Sequence, residues 1–106
     1  MTSFDERKKE QEAKFKHEQE LAFKVTVRRN KLLGLWAAEL MGKADDAAEA
    51  YGKEVVVADF EKPGDQDVVD KVLGDLVAAG VEMDEYRLRK KMERLTEVAR
   101  EQVMAE

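Results

Sequence analysis

The sequence predicts an all-α fold, a four-helix bundle with a long first helix whose N-terminal part is a mobile arm. Apolar residues recur at spacings of three and four in three separate stretches, as they do on one-sided helices. Short breaks carrying glycine or proline separate these stretches, at Gly42, Pro63-Gly64 and Gly80. Ahead of them lies a run with no glycine or proline until Gly34, which is too long to fit inside a compact domain. A continuous helix from Phe4 to Met41 would measure about 57 Å. A domain of this size is only roughly 30–35 Å across, given a radius of gyration near ~13 Å. The first turns must therefore project, fold back or fray. Residues 1–20 read as the mobile arm and residues 21–106 as the bundle domain.

The first helix opens on Ser3-Phe4-Asp5-Glu6, a capping box in which the serine hydroxyl accepts from the third helical N–H and Glu6 reaches back. Asp5/Lys9, Glu10/Lys14, Glu12/Lys16 and Glu20/Lys24 place an acid four residues before a base. Each such pair supports helix by a few tenths of a kcal/mol. The segment nevertheless offers too little apolar area to offset the roughly 1–2 kcal/mol cost of ordering each residue. From Arg28 the character changes to RRNKLLGLWAAELMG, apolar on nearly every side, with Gly42 as the stop. Leu32, Leu33, Leu35, Trp36 and Leu40 are the expected anchor of the core, and Trp36 reads as buried.

Asp45 or Asp46 caps the expected second helix, which presents Ala47, Ala48, Tyr51, Val55, Val56 and Phe60 and ends at Pro63-Gly64. Gly52 weakens its middle by ~1 kcal/mol relative to Ala. Val55-Val56-Val57 has strand character, but a lone short strand finds no pairing partner here. Asp65 caps a third helix whose Val68, Val69, Val72, Leu73, Leu76 and Val77 form one stripe. Asp84 caps a fourth with Leu88, Met92, Leu95, Val98, Ala99 and Val103.

At 106 residues the chain suits one domain with a modest core. Charged residues make up 41%, but both signs are present and 43% is hydrophobic, which argues against wholesale disorder. The absence of cysteine excludes a disulfide framework and thiolate metal sites. No stretch approaches the ~20 apolar residues of a membrane span, and the N-terminal segment lacks the apolar region of a signal peptide. Net charge is −5. Residues 21–38 carry Lys24, Arg28, Arg29 and Lys31 without an acid, whereas residues 43–83 carry eleven acids against four lysines. The fold is expected to bring these stretches together. Such a balance does not suit a DNA-binding protein, in which base dominates a whole face.

Candidate chemistry is sparse. Phe4 and Phe15 stand eleven residues apart, within ~20° of one helical face, and form a narrow stripe suited to docking in a groove. The plainer alternative is that Phe15 packs on the domain and Phe4 is an incidental surface aromatic. Arg28-Arg29-Asn30-Lys31 is either an anion-binding stretch or a set of partners for the acidic second and third helices. His17 has no second histidine or cysteine to share a metal with. Asp65-Gln66-Asp67 resembles the start of a calcium loop but lacks the acid at its twelfth position. There is no phosphate-binding GxxxxGK[ST] run. Serine occurs once, at the arm's cap, and no nucleophile–base set can be assembled. The reading is therefore an interaction protein rather than an enzyme.

The runs FDER (Phe4–Arg7), EAKFKHEQEL (Glu12–Leu21), FK (Phe23-Lys24), RRNKLLGLWAAELMG (Arg28–Gly42) and ADFEKPGDQDVV (Ala58–Val69) closely resemble the zeta subunit of alphaproteobacterial F-type ATP synthases. That family inhibits the rotary ATPase. The resemblance implies a four-helix domain anchored on the catalytic head of alpha, beta and gamma subunits. It also implies an N-terminal segment that inserts at a catalytic alpha/beta interface against gamma. Carried over by position, the inhibitory segment comprises Phe4, Asp5, Arg7, Glu12, Lys14, Phe15 and His17. No cofactor is required. ADP or ATP is implied as a regulatory ligand, for which the chemistry of the chain offers Arg28, Arg29 and Lys31. The protein is expected in the cytoplasm, peripheral to the inner membrane through the synthase and without direct insertion. A second reading, a nucleotide- or RNA-binding regulatory module built on the basic stretch, also fits these residues.

Overall fold

Glycines in left-handed backbone end two of the helices, and their positions set the spacing of the bundle. A computed structural model of the chain describes residues 3–60 and 64–106, with side chains from residue 16 onward. Four helices follow in order: α1 (Ser3–Leu40), α2 (Asp45–Asp59), α3 (Gln66–Ala78) and α4 (Glu85–Ala105). Gly42 has φ +79°, and the amides of Gly42 and Lys43 donate back to the carbonyls of Glu39 and Ala38. Gly80, at φ +82°, closes α3 in the same way, with Val81 donating to Leu76 and Gly80 to Val77. Both are Schellman ends, which only a residue without a Cβ adopts cheaply. With no strand among the described residues, the architecture is the expected all-α four-helix bundle.

The main core joins all four helices. Leu33, Ala37 and Ala38 of α1 meet Tyr51 and Val55 of α2, Val68, Val69, Val72 and Leu76 of α3, and Leu88 and Met92 of α4. α1 packs chiefly on α2 and α4, and α3 is the most lightly held. A second, smaller cluster places Val25, with Leu21 and Leu32 beside it, against Ala99 and Val103 of α4. Extents of 65 × 25 × 21 Å and a radius of gyration of 17.4 Å follow from α1 alone being longer than the bundle. The capping box at Ser3–Glu6 and the expected mobility of the arm fall largely outside the described residues.

Several local expectations need correction. The N-cap of α2 is Ala44, in extended backbone and without a side-chain cap. Asp45 and Asp46 both stand in the first turn, past the cap position, with Asp45 at a left-handed φ of +51°. Asp65 does occupy the N-cap position of α3, but its carboxylate makes no capping bond because Arg29 takes it. Asp84 caps α4 as expected, accepting from the Arg87 amide at 2.8 Å. Val77, Phe60 and Leu40 are exposed rather than core residues. Leu76 and Val81 on either side of Val77, and Met41 next to Leu40, still meet the core, so Val77 and Leu40 are exposed because they face away from it, while Phe60 lies at the C-cap of α2. Trp36 packs on the core but is only partly buried, with the Lys91 ammonium 5.4 Å from its ring centroid.

Candidate functional site

α1 passes from solvated to packed within about one turn, and this joint is the centre of the candidate site. Of the seven residues assigned to the inhibitory segment, the structure describes the side chain of His17 alone. It is exposed, as are Lys16, Glu18, Gln19 and Glu20 around it. Phe4, Asp5, Arg7, Glu12, Lys14 and Phe15 lie outside the described side chains. Leu21 is then half-buried and Val25 is only 8% exposed. Their contact with Ala99 and Val103 clamps the base of the arm to the far end of α4. Arg28 reinforces this clamp, donating to Gln102 at 3.0 Å and pairing with Glu106.

The basic stretch is distributed rather than gathered. Arg28 turns to α4. The Arg29 guanidinium is nearly buried and donates to the Asn30 amide oxygen at 2.9 and 3.1 Å and to the two Asp65 oxygens at 2.9 and 3.3 Å. Lys31 pairs with Glu49 of α2 at 3.4 Å. A phosphate needs donors that converge on one point, and these three cations instead serve three different elements. Arg29 lines a small cavity of about 170 Å³ with Asp65, Arg89, Met92, Glu93 and Thr96, which neither Arg28 nor Lys31 reaches. The expected meeting of the basic and acidic stretches is observed in the Arg29–Asp65 and Lys31–Glu49 pairs.

Sequence reasoning missed Asn30 as a structural bridge. It is 1% exposed and donates through its amide nitrogen to Asp59 at 3.0 Å, so Arg29 and Asn30 together tie both ends of the α2–α3 connection to α1. The signal was present in an asparagine embedded in a run bound for the core. A second polar network, also unforeseen, lies between α2 and α3. The Tyr51 hydroxyl donates to Asp75 at 2.8 Å, and Lys71 donates to the same carboxylate at 3.1 Å. Burial first, then the bond to Asp75 and the nearby negative charges, hold the Tyr51 hydroxyl far above the ordinary tyrosine range. It remains a neutral donor. No group of three acid or histidine side chains suited to a metal occurs among the described residues, nor is any described helix long and apolar enough to cross a membrane.

The described residues form a bundle carrying a long first helix, whose Arg28, Arg29 and Lys31 are each paired with an acid elsewhere in the chain. The sequence profile of a family described as ATPase inhibitor subunit zeta matches residues 1–102. The chain belongs to this family. A protein whose solution NMR structure is known is similar to this zeta-family chain at 52% sequence identity, with a TM-score of 0.70. The alignment covers 78% of this chain and 94% of that one. No curated protein matches. Membership in the zeta family assigns the chain the role of an inhibitor of the ATP synthase. It also suggests a regulatory protein.

Proposed function

We propose that this zeta-family inhibitor blocks ATP hydrolysis by inserting the N-terminal part of α1 at a catalytic alpha/beta interface of the synthase head, against gamma. The rest of the chain anchors it there. The observation that carries this reading is the continuity of α1, which runs unbroken from Ser3 to Leu40. Its exposed stretch at residues 16–20 leads directly into the buried anchor that begins at Val25. A wedge resists rotation only if load passes from its tip to a fixed base. A single helix rooted in two packed clusters is such a lever, and no glycine or proline interrupts it before Gly34. Phe4 and Phe15 supply the apolar grip by their helical spacing, whereas the charged residues between them stay solvated.

ATP hydrolysis by the isolated synthase head tests this reading. The full chain should inhibit hydrolysis while sparing synthesis in energised vesicles. A chain lacking residues 1–14 should still associate weakly with the head and fail to inhibit it. Phe4→Ala and Phe15→Ala should each weaken inhibition, because buried aromatic anchors dominate interfaces of this kind. Full inhibition by the truncated chain would show that the bundle itself blocks the enzyme, and the wedge would have to be abandoned.

A further inference from the structure

Among the described residues, large apolar side chains left in water mostly occur singly, as is ordinary for a folded domain. At one place among them they gather. Phe23 of α1 and Phe60 at the C-cap of α2 are 56% and 61% exposed, and their rings meet with centroids 6.0 Å apart at a 39° tilt. Val57, 57% exposed, lies three residues before Phe60 and so neighbours it on the surface of α2. The rings shield one another only in part, and more than half of each faces solvent.

The position of this patch is informative. Phe23 follows the solvated residues 16–20 and lies between the half-buried Leu21 and the buried Val25, so the patch sits on the joint between arm and domain. An open groove of about 480 Å³, lined by Lys16, Gln19, Glu20, Phe23 and Lys24, leads from it toward the arm. Another of about 570 Å³, between α2 and α3, begins at Val57 and Ala58. A protein–protein footprint of standard size, about 800 Å² on each partner, is roughly 30 Å across. From Phe4 to Phe15 the helix covers only about 16 Å of its axis, but from Phe4 to Phe23 it covers about 28 Å. Phe23 stands about 80° round the helix from Phe15 and about 12 Å further along its axis, so a partner that encloses the arm at Phe15 with an ordinary footprint reaches this patch.

The geometry points to Phe23, Phe60 and Val57 as the anchoring contact of the helical domain. Its occupant is an apolar surface on the same catalytic subunit of the synthase head that receives the arm. This rests on the function proposed above and adds the place where the domain holds on. The groove beside Phe23 carries Lys16 and Lys24 with Glu20, and the one beside Val57 carries Lys53 with Glu54, so both rims mix signs. Contact at the patch is accordingly driven by apolar burial and should depend only weakly on salt.

The test compares wild type, the Val57→Ser/Phe60→Ser double variant and a Tyr86→Ser control in titrations of ATP hydrolysis by the isolated synthase head. The substituted side chains are exposed, so all three proteins should melt alike by circular dichroism. If the double variant melts lower, Phe60→Gln alone takes its place. The patch variant should need roughly 5- to 30-fold more protein for half-inhibition, as loss of a central apolar anchor implies. It should still reach full inhibition at saturation, and Tyr86→Ser should behave as wild type. An unchanged titration of the patch variant would overturn the anchoring contact while leaving the wedge intact. Failure of wild type to inhibit at all would overturn the wedge, and the contact with it. A wild-type dimer in sedimentation that Phe60→Ser dissociates would assign the patch to a second copy and overturn the proposal.

Discussion

Arg29 keeps its charge inside the protein because Asn30 and Asp65 surround its guanidinium with acceptors. Removing the arginine side chain would leave the Asn30 oxygen without its donor and Asp65 without its counter-ion. Arg29→Ala should therefore cost about 1.5–3 kcal/mol, the scale of a hydrogen bond to a charged group. Lys31, two residues on, has a side chain 45% exposed and a single pair to Glu49. Lys31→Ala should change stability by less than ~0.5 kcal/mol, as exposed pairs do. Urea denaturation of the two variants measures the contrast. Tyr51 sets a pH limit at the same scale. Its folded-state pKa is raised, by burial first and by Asp75 next, so its contribution is complete below the unfolded value near ~10 and declines as pH rises above it. Melting temperature should fall through the alkaline range in wild type and fall less steeply in Tyr51→Phe.

Helix against helix, α1 and α2 approach closely where Gly34 meets Gly52. A Cβ built on Gly34 would come within 2.6 Å of the Gly52 Cα, a backbone atom that cannot swing aside. Gly34→Ala gains ~1 kcal/mol of helix propensity but forces the helices apart, at a typical cost of 1–3 kcal/mol for overpacking. It should be destabilising. A Cβ on Gly52 would meet its nearest atom, the Lys31 carbonyl oxygen, at 3.4 Å, which is ordinary contact. Gly52→Ala should therefore raise stability by up to ~1 kcal/mol, or roughly 4–8 °C in a domain of this size. Thermal melts of the two variants should move in opposite directions. Propensity alone ranks both glycines as equal weak points. Only the crossing of the two helices distinguishes them.

For the molecule as a whole, the question is how much of α1 the bundle needs. The described packing starts at Leu21 and Val25, and every residue of the main core lies at Leu33 or beyond. A chain lacking residues 1–14 should unfold cooperatively within a few degrees of wild type, as followed by circular dichroism. A large drop would mean that the first turns pack on the domain. Trp36→Ala also acts at this scale, because the ring lies beside the core that joins all four helices. Being only partly buried, it should cost about 2–3 kcal/mol rather than the 3–5 kcal/mol of a fully buried aromatic.

The sequence by itself determined the four helices, the glycine stops of α1 and α3, the joint in α1 and the family. These depend on local periodicity, left-handed turns and long specific runs, all of which act over a few neighbouring residues. It also foretold that the basic and acidic stretches would meet, since unpaired charge of one sign in a small domain must find its complement. Which carboxylate each base reaches was decided only by the tertiary structure. Arg28 found the end of α4, and Arg29 took the carboxylate that sequence logic had given to a helix cap. The same holds for the exposure of Phe60 and for the small cavity that Arg29 shares with neither Arg28 nor Lys31. Periodicity identifies the apolar face of a helix. It does not say where along that face the neighbouring helix ends, and burial and ion pairing depend on that endpoint.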